Sequence, residues 1–140
     1  MKLDLYLNYA GNCEEAFRFY ETHIGGKIVM MMRHEDHMNP GLPADFGKKI
    51  LHAQLEVGGA TLMGADIPGA EPMRSAYASL TLDNVAEAER VYALLSDGGQ
   101  IFMKMDQTFF AARFAMLRDR FGTSWMLLAA HPSPPENPST

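Results

Sequence analysis

The sequence predicts an α+β fold in which two tandem βαβββ modules form a curved mixed sheet around a central cleft. The first observation is an internal repeat. NCEEAFRFY, from Asn12, and NVAEAERVY, from Asn84, lie 72 residues apart and share the pattern N-x-x-E-A-x-R-x-Y. In addition, a short apolar run precedes each copy, and a Gly-Gly pair and an apolar segment follow it. Such self-similarity is typical of a duplicated structural unit.

Each module is expected to begin with a strand, LDLYLNY or ASLTLDN, followed by a helix. Asn12 and Asn84 suit the N-cap position, with Glu15 and Glu87 placed three residues later as in a capping box. The Gly-Gly pairs would end the helices with positive-φ caps. The apolar residues of each helix share one stripe: Phe17, Tyr20 and Ile24 in the first, and Ala88, Val91 and Leu95 in the second.

Three strands are predicted after each helix from runs of apolar and β-branched residues. They cover residues 27–33, 49–57 and 60–64 in the first module, and 100–105, 109–117 and 124–129 in the second. Gly58 and Gly59 predict a tight hairpin. With the helices outside, the cleft between the modules would hold a small ligand.

The chain length predicts one domain, residues 1–131, with module one at 1–66, module two at 73–131 and a Pro/Gly linker at about 67–72. Residues 132–140, PSPPENPST, are expected to be a disordered tail. A hydrophobic content of 47% is enough for a folded core. The eleven methionines suit either core filling or an adaptable apolar pocket.

Charge and cysteine content narrow the classes of partner. The net charge is −5 and Lys and Arg are scattered, which argues against nucleic-acid binding. The apolar runs are too short to span a bilayer, and no signal peptide is visible, so we expect no membrane contact. Cys13 is the single cysteine, which excludes an internal disulfide and favours a cytoplasmic protein. Its place near a helix N-terminus could lower the thiol pKa, although a half-buried residue without chemistry is favoured.

Four segments carry a family resemblance: AGNCEEAFRFYETHIGG, ILHAQLEVGGATLMGAD, DQTFFAARF and DRFGTSWMLL. They resemble the PhnB-like branch of the vicinal oxygen chelate superfamily, which includes glyoxalase I, dihydroxybiphenyl dioxygenase and bleomycin resistance proteins. The resemblance covers roughly residues 5–130. It implies the two-module fold and a homodimer, and the exposed sheet edges of such a fold are surfaces that a second chain could cover.

Metal-dependent members of this superfamily hold their ion at four strand positions, one in the first and one in the last strand of each module. The resemblance places two of these positions at Leu5 and Met126, and the repeat gives their counterparts, Tyr77 and Met63. Leucine cannot coordinate a metal, thioethers suit Cu(I), and one phenol does not make a site. We therefore expect no standard metal site and no cofactor, and we interpret the four residues as lining the ligand cleft.

The polar candidates in the cleft begin with His52. Alternation in ILHAQLEV directs Leu51, Ala53, Leu55 and Val57 towards the helices and Ile50, His52, Gln54 and Glu56 towards the cleft. His52 is the candidate catalytic acid or base, and the alternative is a structural histidine. Gln54, Gln107 and Phe109 are further ligand-binding candidates. Arg113 could bind an anion, although a solvated strand charge is favoured.

Residues 34–37, HEDH, precede a Pro- and Gly-rich segment. They predict a loop in which a solvated role is favoured over a metal site or a lid over the cleft. Trp125 is expected to anchor the core, since it alternates with Met126.

Three functions remain open. The first is a metal-independent protein that binds a small molecule in its cleft. The second is a divergent glyoxalase-like lyase or dioxygenase-type enzyme, and the third is a bleomycin-type antibiotic-binding protein. Whether the protein is an enzyme is left undecided. The sequence offers no Gly-rich loop after a Rossmann strand that would indicate a methyl-donor site.

Overall fold

Two βαβββ modules follow one another along the chain, as predicted. The computed structural model describes residues 1–37 and 41–132. The first module comprises β1 (Leu5–Tyr9), α1 (Cys13–Ile24), β2 (Lys27–Arg33), β3 (Ile50–Val57) and β4 (Ala60–Asp66). The second comprises β5 (Ala78–Leu82), α2 (Val85–Ser96), β6 (Gln100–Asp106), β7 (Arg113–Arg118) and β8 (Ser124–Ala129). Except for Pro132, the predicted disordered tail lies outside the described residues.

Each module forms its own four-stranded mixed sheet, in the orders β1-β4-β3-β2 and β5-β8-β7-β6. The first strand of each module is parallel to the last, and the other pairs are antiparallel. The α+β class and the tandem modules are confirmed. The modules were expected to contribute to one curved sheet, whereas the described strands form two sheets that hydrogen bonds do not join.

The predicted strand at 109–117 begins later than expected, at Arg113. Residues 108–111 form a turn instead, in which Thr108 and Ala111 are mutually hydrogen-bonded. The Thr108 amide donates to the Ala111 carbonyl at 3.0 Å, and the Ala111 amide donates to Thr108 Oγ1 at 3.1 Å. The apolar composition of the segment favoured a strand, so the turn was not predicted.

The two helices are capped differently, although their sequences repeat. Asn84 caps α2, because its side chain accepts from the Glu87 amide at 2.9 Å. Asn12 lies at the N-cap position of α1, as predicted, but its side chain makes no capping bond. Instead, Asp66 Oδ1 accepts from the amides of Gly11 and Cys13 at 3.0 Å. A carboxylate at the end of β4 therefore replaces the local cap and also complements the helix dipole.

One glycine of the first Gly-Gly pair ends α1, and the other allows close packing. Gly25 lies at the helix C-terminus with φ of 92°. Gly26 lies against β3, where a Cβ would be 2.9 Å from the Glu56 carbonyl oxygen. The pair therefore fixes both the end of the helix and the approach of β2 to β3.

A single core joins the modules. The predicted helix stripes are confirmed, since Phe17, Tyr20 and Ala88 are fully buried. The same core cluster holds Leu117 and Trp125 of module two beside the α1 residues. Trp125 is 3% exposed and donates from Nε1 to Asp119 Oδ2 at 2.9 Å, as a core anchor. The helix-covered sides of both sheets therefore border the shared core.

Asp119 organises the contact between the modules. It is 4% exposed and accepts hydrogen bonds from Tyr20 Oη, Trp125 Nε1 and the amides of Phe121 and Thr123. Burial raises the pKa of Tyr20 well above its ordinary value, so the phenol remains a donor. The DRFGTSW segment, which carries part of the family resemblance, is thus a structural link to α1.

None of the helices within residues 1–37 and 41–132 combines the length and the apolar character needed to cross a membrane.

Candidate functional site

The face of the first sheet that lies away from α1 is only partly covered. Its residues follow from the strand register: Met63 is the partner of both Tyr6 and Gln54, and Gln54 is also the partner of Met30. We call this surface the module-one open face. Its members include Tyr6, Asn8, Met30, Met32, His52, Gln54, Glu56 and Met63.

His52 is the centre of a polar group on this face. Tyr6 Oη lies 3.1 Å from His52 Nδ1, and Gln54 Nε2 lies 3.1 Å from His52 Nε2. The Tyr6 and His52 rings are stacked with centroids 5.6 Å apart. Both ring nitrogens are therefore engaged, and the imidazole orientation is fixed by its neighbours. Methionines from two strands lie around the group: Met30 and Met32 on β2, and Met63 on β4.

Burial raises the pKa of Tyr6, with a smaller electrostatic contribution from Cys13. The phenol is therefore protonated at neutral pH. Tyr6 is not among the residues predicted for the cleft, because the first-strand position was assigned one residue earlier, to Leu5. Parallel pairing of Tyr6 with Met63 is the signal that identifies it, and it requires the strand register.

The structure supports some of the module-one assignments and changes others. His52 and Gln54 lie on the open face as expected. Leu5 instead packs against the core cluster. Ile50 was expected to face the cleft, and this is wrong, because it is fully buried in the core. The cause is a bulge: Met32 pairs with His52 but Arg33 pairs with Ile50, so alternation shifts by one residue.

The second sheet has a corresponding surface, which we call the module-two open face. Met126 is the partner of both Ser79 and Met116, and Met116 is also the partner of Met103. Met126 thus lies on this face as predicted. The face includes Ser79, Thr81, Met103, Phe114, Met116, Arg118, Met126 and Leu128.

The other predicted module-two residues are more scattered. Tyr77 precedes β5, with its ring 6.3 Å from that of Phe102. Gln107 is exposed after β6, and Phe109 is 95% exposed and packs only edge-on against Phe110 at 5.2 Å. Arg113 lies on the helix side, where Nε binds Glu89 Oε1 of α2 at 3.1 Å. The favoured interpretation of Arg113 as a surface charge therefore fits the structure better than anion binding.

The strand register identifies the side chains at the positions where metal-dependent members of the superfamily hold their ion. The residues paired across each first and last strand on the open faces are Tyr6 with Met63 and Ser79 with Met126. One phenol, one hydroxyl and two thioethers do not suit the divalent ions that imidazole and carboxylate ligands hold. Among residues 1–37 and 41–132, no three His, Cys, Asp or Glu side chains lie close enough to bind an ion together.

The HEDH segment, residues 34–37, is only partly exposed to solvent. His37 is exposed, but His34 is 7% exposed, and its Nε2 donates to the Asp66 carbonyl at 2.9 Å. The solvated interpretation is therefore wrong for His34, which ties the end of β2 to β4. The sequence concealed this role because the partner is a backbone oxygen 32 residues away.

Two further features lie outside the open faces. A cavity of about 560 Å³ at the N-terminal end of α1 has a lining of mixed charge, in which Arg33 binds both carboxylate oxygens of Glu14 at 3.0 Å.

Cys13 is fully buried, and burial, with the charges of Asp66 and Glu14, raises the pKa of its thiol far above the ordinary value. The helix N-terminus does not activate this cysteine.

Comparisons with known proteins agree with the fold. The matching family model is described as 3-demethylubiquinone-9 3-methyltransferase and covers residues 1–128. Protein YjdN of Escherichia coli K12 is 29% identical over 139 residues, covering 91% of this chain and 94% of YjdN. Protein PA1353 of Pseudomonas aeruginosa is 40% identical with a TM-score of 0.83, and the match covers 94% of this chain and 99% of that one.

Two further structures place the chain within a wider group. A PhnB protein from Bacillus cereus is 26% identical with a TM-score of 0.80, covering 93% of this chain and 100% of that chain. The fosfomycin resistance protein FosX of Listeria monocytogenes shares the fold at 10% identity, with a TM-score of 0.64 and 94% of each chain covered. The chain belongs to the 3-demethylubiquinone-9 3-methyltransferase family, in the PhnB-like branch of the vicinal oxygen chelate superfamily.

Proposed function

We propose that this protein binds a small apolar molecule without a metal, in a cleft between the module-one open face of one chain and the module-two open face of a second. The observation that carries the proposal is the hydrogen-bonded group of Tyr6, His52 and Gln54 within a surface of methionines. Flexible, polarizable thioethers adapt to ligand shape, and a few fixed polar groups orient a ligand.

A second copy of the chain is the proposed cover for these faces. Large apolar side chains remain exposed on both sheets. Tyr6 is 47% exposed, Met30 39%, Phe102 42% and Met103 48%. Because the helix-covered sides of both sheets border one shared core, each open face lies on the side of its sheet away from that core. Two chains related by a two-fold axis could cover both kinds of face at once.

His52 is the residue through which catalysis would act if the protein is an enzyme. Its ring is held on both sides at 3.1 Å, so it is well oriented to relay a proton through the Tyr6 hydroxyl. The family description names a methyl transfer, but the sequence lacks the Gly-rich loop of a Rossmann-type methyl-donor site. Ligand binding is therefore the function that the geometry supports best.

Charges placed on the open faces test the dimer. In sedimentation equilibrium we expect the wild-type protein to have twice the chain mass of 15.5 kDa. Met30→Glu and Met103→Glu should each yield the single-chain mass, because pairing would bury an unpaired carboxylate. Thr22→Glu adds the same charge at an exposed position of α1 and should leave the dimer intact. A monomeric wild-type protein, or dimers of both methionine variants as stable as the Thr22→Glu dimer, would refute the assembly.

A further inference from the structure

The hydrogen bonds around His52 have a direction. Gln54 Nε2 is an amide nitrogen and can only donate, so His52 Nε2 must accept through its lone pair. The single ring hydrogen of a neutral imidazole is then on Nδ1. It points at Tyr6 Oη, 3.1 Å away, so His52 donates to the phenol oxygen.

This direction leaves the Tyr6 hydroxyl hydrogen unused within the group. The phenol oxygen accepts from His52, and its own O–H remains free to donate at a surface where the residue is 47% exposed. The raised pKa of Tyr6 keeps that hydrogen in place at neutral pH. Accepting a hydrogen bond from an imidazole also polarises the phenol and makes it a better donor.

The strand neighbours of the group carry no formal charge. His52 pairs with Met32, and Gln54 pairs with Met30 and Met63. Ionisable side chains of the two faces, such as Glu56 and Arg118, lie further along the strands, where Glu56 pairs with Lys27 and the Arg118 guanidinium donates to the Met73 carbonyl. An ionic ligand whose charge lay beside the Tyr6 hydroxyl would therefore lose its hydration without gaining an adjacent counter-charge.

Resting on the function proposed above, we propose that the site selects neutral apolar ligands that carry a hydrogen-bond acceptor, such as a ketone or quinone oxygen, and that the Tyr6 hydroxyl donates to that acceptor. His52 and Gln54 are positioning residues, since they act through Tyr6. Methionine side chains on both faces contact the apolar part of the ligand.

A neutral naphthalene ketone, prodan, tests the proposal, because its emission moves to longer wavelength when its carbonyl accepts a hydrogen bond. Dimethylaminonaphthalene has the same ring system without the ketone and serves as the matched probe. We expect Tyr6→Phe to weaken prodan binding about fivefold, as for one lost hydrogen bond, and to abolish the emission shift. Binding of dimethylaminonaphthalene should not change. Tyr92→Phe, a phenol on α2, is the control and should alter neither probe.

The outcomes separate this inference from the function on which it rests. If the wild-type protein binds neither probe, both proposals fail. If it binds both, but Tyr6→Phe binds prodan as tightly as the wild type, only the role of Tyr6 fails. The ¹⁵N chemical shifts of the His52 ring give an independent readout. They should report hydrogen on Nδ1, and hydrogen on Nε2 would reverse the hydrogen bonds and overturn the inference.

Discussion

Replacing Asp119 with alanine is expected to lower the free energy of unfolding by about 4 kcal/mol, because it leaves several buried donors without an acceptor. Asp119 accepts from the Tyr20 phenol at 2.5 Å, the Trp125 indole at 2.9 Å, and two backbone amides. A buried donor without a partner costs about 1–3 kcal/mol, and the phenol can partly recover its bond through Thr123 Oγ1 at 3.0 Å. Urea unfolding at a fixed protein concentration measures the loss.

Two variants make the Asp119 experiment specific. Asp83→Ala removes an exposed carboxylate and should change stability by less than about 0.5 kcal/mol. Tyr20→Phe removes one donor and keeps the ring, so the loss should be about 1 kcal/mol. If the free energy of unfolding of Asp119→Ala lies within about 1 kcal/mol of the wild-type value, the network does not hold the modules together.

Asp66→Ala is expected to cost about 3 kcal/mol, since two buried amides and one partly buried amide lose their acceptor. Asp66 is 1% exposed and accepts from Gly11 and Cys13 through Oδ1 and from Ile50 through Oδ2 at 2.8 Å. Amide hydrogen exchange should accelerate at these three positions, while Asp66→Ala leaves the α2 amides unchanged.

Asn12→Ala is the informative comparison for Asp66. A functional N-cap asparagine would cost about 0.5–2 kcal/mol on replacement. Because Asn12 Oδ1 is buried without a partner, we expect a loss near zero. A large loss of stability for Asn12→Ala together with a small loss for Asp66→Ala would show that Asn12, and not Asp66, caps α1.

The sequence predicts local structure well because the repeat and the apolar stripes act over a few residues. The bounds of β2 and β8 agree with the structure at both ends. Contacts between residues far apart in the chain cannot be predicted from these local patterns. The carboxylate of Asp66 caps a helix 53 residues earlier in the chain, so the nearer Asn12 was assigned its role. Similarly, His34 looked solvated because its partner lies on β4.

The candidate site depends on register, which alternation alone does not determine. One bulge near Leu51 moves Ile50 from the expected cleft side into the core, while His52 and Gln54 remain on the open face. In β1, the same one-residue ambiguity placed Leu5 where the structure has Tyr6. A shift of one residue exchanges the two faces of a strand, so the most informative side chain of the site was missed.

The methionines allow a direct test of ligand binding between the two open faces. Protein labelled with ¹³C at the methionine methyl groups is titrated with prodan and followed by NMR. We expect shifts at Met30, Met32 and Met63 on one face and at Met103, Met116 and Met126 on the other. The signals of Met31, Met73 and Met105, which pack against the core, should not change. Shifts confined to one face, or centred on the core methionines, would contradict a cleft formed by both faces.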